Sequence, residues 1–250
     1  MHGENSFAGK PSFTGLARYY EITLGVLGKP DTDTGYLIGI QELDNIVRTH
    51  LVPLILRQCE ADACIEPASM LQSLWNEAAA QSPHALSMLR WSLSPYYQIE
   101  MTSDTQSSGC VLMRQRFEFA AAHRLHTPTL SNEENARFFG KCNNPSGHGH
   151  NYQIEPCIRV PIERASDGQF QLYIQQAVNR AIIDPLDHKF LNTDVDWFDQ
   201  SNSGLIPSVE NIARICYEQL APEIRKLGQD VELLSIQAWE TEKTSAIYPG

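Results

Sequence analysis

Residues 141–152 place one thiol, Cys142, and two imidazoles, His148 and His150, among the turn-formers Pro145, Gly147 and Gly149. In an extended strand, positions two apart point to the same face, so both rings would lie side by side. Gly149 between them allows close backbone approach. Two neutral imidazoles form a natural half of a zinc site. Cys142 is suited to be a third ligand, or a nucleophile or base working beside the metal. An isolated His-x-His pair is more often structural, so the reading depends on the rest of the chain.

Four further features could join that pair. His123 ends the alternating segment 117–122 and could supply a third imidazole. Three histidines with one open position is a catalytic rather than a closed structural arrangement. His126 has no such partner and reads as a loop residue. Asp187-His188 follows Pro185-Leu186 at an expected helix end. A carboxylate beside an imidazole can orient a base or shuttle a proton, although a polar helix end explains the pair as well. Ser208 and Glu210 open the last long helix, where an N-cap and a favourable dipole charge account for them without a ligand. Glu240, after Trp239, ends an apolar strand. A carboxylate there needs donors, and a flat heterocycle with an amino group and a ring N–H would supply two.

The elements that must position these residues are written twice. In the second part, Phe117-Glu118-Phe119 and Tyr152-Gln153-Ile154 alternate like the strands of a hairpin. A helical pattern runs from Gly168 and is closed by Pro185; a second helix covers 208–227; strands follow near 231–239 and 246–248. In the first part, residues 20–24 alternate as a strand. Helical spacing at Leu43, Ile46, Val47 and Leu51 follows Gly35 and is closed by Pro53. A helix after Pro67 carries Leu71, Leu74, Trp75 and Ala78, and a strand covers 89–93. This predicts an internal duplication with a polar linker at 104–109. Where the second copy has Asp187-His188, Ser208-Val209-Glu210 and Glu240, the first has Ile55-Leu56, Ala68-Ser69-Met70 and Leu93. The first copy therefore reads as a structural partner.

At 250 residues the chain can bury one large core or two small ones. A net charge of −11 argues against broad nucleic-acid binding. No apolar stretch reaches the length of a membrane span, and the first residues do not resemble a signal peptide. Six cysteines without framework spacing suit free thiols in a reducing, cytoplasmic compartment.

Taken together, residues 115–250 resemble the 6-pyruvoyl-tetrahydropterin synthase family, which includes the 6-carboxytetrahydropterin synthases. The resemblance rests on His123-Arg124-Leu125, the run from Cys142 to Tyr152, Pro185-Leu186-Asp187-His188, Pro207-Ser208-Val209-Glu210-Asn211 and Glu240-Thr241 with Ile247-Tyr248. The chain departs from the family pattern at Gln169-Phe170-Gln171-Leu172. The resemblance implies an α+β T-fold, a β-β-α-α-β-β unit whose strands close a barrel on oligomerisation, with helices outside. It implies a degenerate module over 1–103, a linker and strand start at 104–114 and a catalytic module over 115–250. His123, His148 and His150 would hold Zn2+. Cys142 would be the general base, with Asp187 and His188 as its relay reaching in from a neighbouring module. Glu240 would anchor a pterin, and Ser208 and Glu210 would line its pocket. The substrate would be 7,8-dihydroneopterin triphosphate, with Arg124, Lys141 and Lys189 as candidate cations for the triphosphate. The protein would be a homo-oligomer, a trimer of tandem modules or a larger ring, without nucleic-acid or membrane partners. The alternatives are the 6-carboxytetrahydropterin branch of queuosine synthesis and a non-catalytic pterin-binding or assembly protein.

Overall fold

The computed structural model describes residues 21–250; Tyr20 and the earlier part of the expected first module lie outside the described residues. The first part runs β1 (Glu21–Leu27), α1 (Ile40–Asn45), a π-helical turn (Ile46–Leu51), α2 (Val52–Ala61), α3 (Pro67–Gln81), β2 (Ala85–Ser94), β3 (Tyr97–Thr102) and α4 (Ser103–Ser107). The second runs β4 (Cys110–Gln115), β5 (Phe117–His123), α5 (Asn132–Phe139), a 3-10 turn (Gly140–Asn143), β6 (His148–Pro161), α6 (Ile162–Ala165) and α7 (Phe170–Val178). A second π-helical turn (Asn179–Ile183), α8 (Asp184–Leu186), β7 (Lys189–Phe190), α9 (Leu191–Asp194), α10 (Val209–Leu227), β8 (Glu232–Thr241) and β9 (Thr244–Tyr248) complete it.

Among the described residues all nine strands form one sheet. β4 and β5 pair with successive halves of the long β6, and β8 lines its other edge. The hairpin register expected from alternation is present, with Phe117, Glu118 and Phe119 opposite Ile154, Gln153 and Tyr152. β3 pairs antiparallel with β4, so the two parts share a continuous sheet. The stretch expected as a linker is a capped helical turn: the Thr102 hydroxyl accepts from the Thr105 N–H, and Thr105 is buried.

Helix positions follow from the apolar stripes. Leu71, Leu74, Trp75 and Ala78 of α3 are buried, as are Ile212, Ala213, Ile215, Cys216 and Leu220 of α10. These faces join one core with the strands, including Leu89, Ile99, Ile154, Ile158 and Ile236. At roughly 1.5–3 kcal/mol per fully buried large aliphatic side chain, this packing holds the helices to one face of the sheet.

Pro53 does not close its helix; the helix continues eight residues beyond it, to Ala61. The π-helical turn Ile46–Leu51 precedes it. That wider turn relieves the two problems of an internal proline, the missing N–H and the clash with the preceding turn. A π-helical turn also precedes Pro185, and there the helix ends one residue later, at Leu186. A second parallel lies at the strand ends. The register shifts between Ser92 and Ser94 in β2, and between Trp239 and Thr241 in β8. A bulge re-aims the residue at its centre, which is Leu93 in the first part and Glu240 in the second. Leu93 packs against the core.

Candidate metal centre and cleft

Cross-strand pairing builds the centre. His123 lies opposite His148, and Ala121 opposite His150, so three imidazoles share one face at the end of the β5–β6 hairpin. Tyr152 follows on the same face, its ring stacked on Phe119 with centroids 5.2 Å apart. The bulge turns Glu240 to that face.

His123 is fully buried. Its Nδ1 lies 2.7 Å from the carbonyl oxygen of Pro207, immediately before α10. A carbonyl only accepts, so Nδ1 carries the proton and Nε2 of the neutral ring presents a lone pair. That lone pair lies 3.1 Å from His148 Nε2 and 3.1 Å from Glu240 Oε1. His150 Nε2 is 3.3 Å from the same carboxylate oxygen. A lone pair facing a carboxylate at this distance is repulsive unless a proton or a cation stands between them.

Those spacings fit a metal ion. Four ligands at the 2.0–2.1 Å typical of zinc stand about 3.3 Å apart in a tetrahedron. The four ligand atoms of His123, His148, His150 and Glu240 lie within 4.8 Å of one another. Burial lowers the pKa of His148, with help from His123 and His150; burial also lowers that of His150, against the pull of Glu240. Neutral rings are the form that ligates. In the metal-free protein with the rings protonated, a hydrogen bond from His123 first, and then the imidazolium charges, hold the Glu240 carboxyl below its usual range. Glu240, expected to face a heterocycle, is thus placed within the histidine cluster itself.

Glycine placement differs from expectation. A Cβ on Gly149 would meet only the Ala121 carbonyl, at an ordinary 3.7 Å. Gly147 is the position that requires glycine: its φ is +69°, and a Cβ would lie 2.6 Å from the Phe190 ring and 3.0 Å from the His123 carbonyl. It turns the chain into β6 against the back of the centre.

Cys142 sits in the 3-10 turn, where its carbonyl accepts from the Leu125 N–H at 2.8 Å. Burial and then the Glu240 charge push its thiol pKa up. Asp187 and His188 lie against the outer edge of β5. Asp187 Oδ1 accepts from the Ala120 N–H at 2.8 Å, and the His188 N–H donates to the Ala120 carbonyl at 2.6 Å. Asp187 Oδ2 is 2.9 Å from His188 Nδ1, an exposed ring on a residue at φ 57°. Left-handed backbone is strained for histidine and is held here by the bonds to β5. Among the described residues no hydrogen bond joins Cys142 to this dyad.

His188, His150 and Glu240 line one cleft of about 1230 Å³, together with Gly149, Lys189 and Trp239. Ser208 and Glu210 do not line it. Ser208 caps α10, accepting from the Asn211 N–H, and Glu210 is exposed in the first turn. Arg124 and Lys141 line a separate groove of about 750 Å³, whereas Lys189 belongs to the main cleft. Three residues that the sequence reading did not single out hold the surroundings. Asn192 brackets the Arg124 backbone through both its side-chain groups, at 2.7 and 2.9 Å. Buried Asn135 accepts from the Thr127 N–H and donates to three carbonyls, fixing the loop after His126. Asn143 Oδ1 lies 3.0 Å from His126 Nδ1. Side-chain amides in loops have no periodic signal; only their position beside the motifs could have marked them.

Fold and site define a helix-backed, mainly antiparallel sheet with three imidazoles and one carboxylate gathered at a hairpin end, where they could hold a metal ion. The 6-pyruvoyl tetrahydropterin synthase family profile matches residues 112–250, and the chain belongs to that family. It is similar to the human 6-pyruvoyl tetrahydrobiopterin synthase, 35% identical over 137 residues, which cover 54% of this chain and 89% of that protein. The Drosophila melanogaster 6-pyruvoyl tetrahydrobiopterin synthase is 37% identical over 140 residues, covering 55% of this chain and 79% of its own. The solved Caenorhabditis elegans 6-pyruvoyl tetrahydropterin synthase superposes with a TM-score of 0.50 at 31% identity, covering 56% of this chain and 96% of that one.

Proposed function

We propose that this protein is a zinc-dependent lyase converting 7,8-dihydroneopterin triphosphate to 6-pyruvoyl-tetrahydropterin with loss of triphosphate. The observation that carries the reading is the convergence of His123, His148, His150 and Glu240 within 4.8 Å at the side of an open cleft. Family membership and the names of the relatives support the substrate.

His123, His148 and His150 hold the ion. Zinc, when bound, makes the hydroxyls of the substrate side chain more acidic. Glu240 accepts hydrogen bonds from the amino group and ring N–H of the pterin and so fixes the ring in the cleft. Cys142, as thiolate, takes the proton from the carbon beside the ring imine. Asp187 orients His188 through the Nδ1 contact, leaving the other ring nitrogen free to move a proton. Hydrogens shift within the substrate and triphosphate leaves, so no external redox partner is needed. Arg124, Lys141 and Lys189 are the cations available to the leaving group, and Ser208 and Glu210 border the site only in an assembly.

The shared π-helical turn and the bulge at Leu93 and Glu240 support two T-fold modules, with 1–103 structural, 104–114 a junction and 115–250 catalytic. Joined edge to edge with further copies, the sheet closes a barrel with the helices outside. Six free cysteines suit a reducing, cytoplasmic compartment, and among the described residues no helix is long and apolar enough to cross a membrane. Mass spectrometry of the product from 7,8-dihydroneopterin triphosphate tests the reading. A pyruvoyl pterin with free triphosphate is expected; a carboxylated pterin, or no turnover by the zinc-loaded protein, would overturn it.

A further inference from the structure

Three aromatic contacts fix one polar group that the proposed reaction leaves unused. Tyr152 is fully buried. Its ring stacks on Phe119 at 5.2 Å and packs edge-on against His123 and His150 at 5.8 and 5.5 Å. This packing sets where the hydroxyl points. The hydroxyl is sealed from solvent, and among the described residues it has no hydrogen-bond partner. A buried hydroxyl without a partner is costly, and a phenylalanine of the same shape avoids that cost. The residue opposite Tyr152 on β5 is such a phenylalanine, Phe119.

Two acceptors stand near this hydroxyl. After burial, the Glu240 charge and then that of a Cys142 thiolate push its pKa up, so both groups act on it. Glu240 is already engaged, with Oε1 3.1 Å from His123 Nε2 and 3.3 Å from His150 Nε2. Cys142 differs, because its accepting power changes with its charge. Its turn is pinned beside the cluster by the 2.8 Å bond from the Leu125 N–H, two residues after His123, to the Cys142 carbonyl. Burial and Glu240 hold it as the thiol, which is a weak acceptor, whereas a thiolate is a strong one.

We propose that Tyr152 is a positioning residue for Cys142: its hydroxyl donates a hydrogen bond to the sulfur once that sulfur is a thiolate, and holds the anion toward the substrate carbon. This rests on the reading of Cys142 as the base. Tyr152 does not line the cleft, so it acts on the substrate through the sulfur. A hydrogen bond to an anion is charge-assisted and roughly twice as strong as a neutral one. It offsets part of what burial and Glu240 cost the thiolate. No proton changes hands, since the hydroxyl keeps its hydrogen while the sulfur waits for the substrate. Glu240 from β8 and Tyr152 from β6 are the titratable groups that act on Cys142, and Lys141, its neighbour in the chain, lines the separate groove.

Tyr152→Phe removes the hydroxyl and keeps the ring. In the zinc-loaded protein, metal content and neopterin affinity should match wild type, and the melting temperature should match or exceed it. The pH midpoint for alkylation of Cys142 by iodoacetamide should rise by about one unit, the size of one charge-assisted hydrogen bond. Turnover should fall about tenfold in kcat with KM unchanged. Added to Cys142→Ala, Tyr152→Phe should lower the residual turnover no further, because the hydroxyl works through the sulfur. An unmoved alkylation midpoint, an unchanged kcat or losses that add in the double variant would overturn the proposal. A Tyr152→Phe protein that loses its metal or its fold would place the hydroxyl in the framework of the cluster and overturn it as well. Alkylation needs no turnover. If the wild type itself fails on the pterin triphosphate, the reaction is refuted, and the midpoint still decides whether the hydroxyl serves the sulfur.

Discussion

His123 Nδ1 lies 2.7 Å from the carbonyl oxygen of Pro207, the residue before the Ser208 cap of α10. This contact ties the start of a helix to the centre of a hairpin site. It fixes the tautomer of a fully buried ring and aims the Nε2 lone pair at His148 and Glu240. The metal reading therefore depends on three rings, with one held by a backbone carbonyl that no substitution at 207 other than a shift of the chain can remove.

His148→Ala should abolish stoichiometric metal. Wild type purified in zinc should hold about one ion per chain by elemental analysis, since the first part has no histidine cluster among its described residues. Losing one of three imidazoles weakens binding severely. Stripping the ion with a chelator should lower the melting temperature of wild type but not of His148→Ala, because an ion that binds only the folded state stabilises it. An unchanged metal content in the variant would remove the centre.

The two glycines of the motif should behave differently. Gly147→Ala forces a side chain into left-handed backbone, worth roughly 1–2 kcal/mol, and adds a clash with Phe190. It should unfold at lower denaturant and bind metal poorly. Gly149→Ala meets nothing closer than 3.7 Å, so it should fold with near-normal stability while placing a methyl group on the cleft wall. Equal stabilities by urea titration would contradict the assignment.

Much of this site is readable in the sequence because it is local. The hairpin register, the shared face of His148 and His150, the Ser208 cap and the stripes of α3 and α10 follow from periods of two and 3.6. Other features depend on distant partners. The Phe190 ring that makes Gly147 obligatory is 43 positions away in sequence. The bulge that turns Glu240 inward depends on pairing with β9, and the Asn135 and Asn192 brackets depend on loop geometry. Pro53 misled for a related reason. Proline signals a helix break, and only hydrogen-bond geometry reveals a π-helical turn that accommodates it.

The first part separates packing from chemistry. Ile55 is 2% exposed and Leu56 47% exposed. Ile55→Ala should cost about 2–5 kcal/mol of stability by chemical denaturation. Leu56→Ala should stay within about 0.5 kcal/mol of wild type, as surface changes usually do. Neither should alter metal content. A large effect of Leu56→Ala would show that the residue is covered in the assembled protein.

Cys142 should be a reluctant thiolate in the metal-free protein. Burial and the Glu240 charge both disfavour the anion, so its folded pKa lies above the ordinary thiol value. Alkylation by iodoacetamide, followed at Cys142 by peptide mass spectrometry, should therefore have a higher pH midpoint in folded than in denatured protein. Glu240→Gln removes a negative charge, so the midpoint should move down. It should stay above the denatured value, because burial is the larger cause. A midpoint that does not move on Glu240→Gln would separate the two side chains.

Glu240→Gln also tests the double position of that carboxylate. One oxygen, Oε1, faces His123 and His150, and the residue lines the cleft in which a pterin would lie. The amide keeps the shape, removes the charge and replaces one acceptor by a donor. A buried donor facing the donors of the pterin edge costs about 1–3 kcal/mol, so affinity for the unreactive ligand neopterin should fall at least tenfold by calorimetry. Metal content should persist, because three imidazoles remain and one of them is fixed by Pro207. If the ion is lost along with neopterin binding, the carboxylate is a ligand first, and the ring of the substrate must be recognised by other groups in the cleft. If both survive unchanged, Glu240 leaves the site, and with it the observation that favours a pterin over another polyol phosphate.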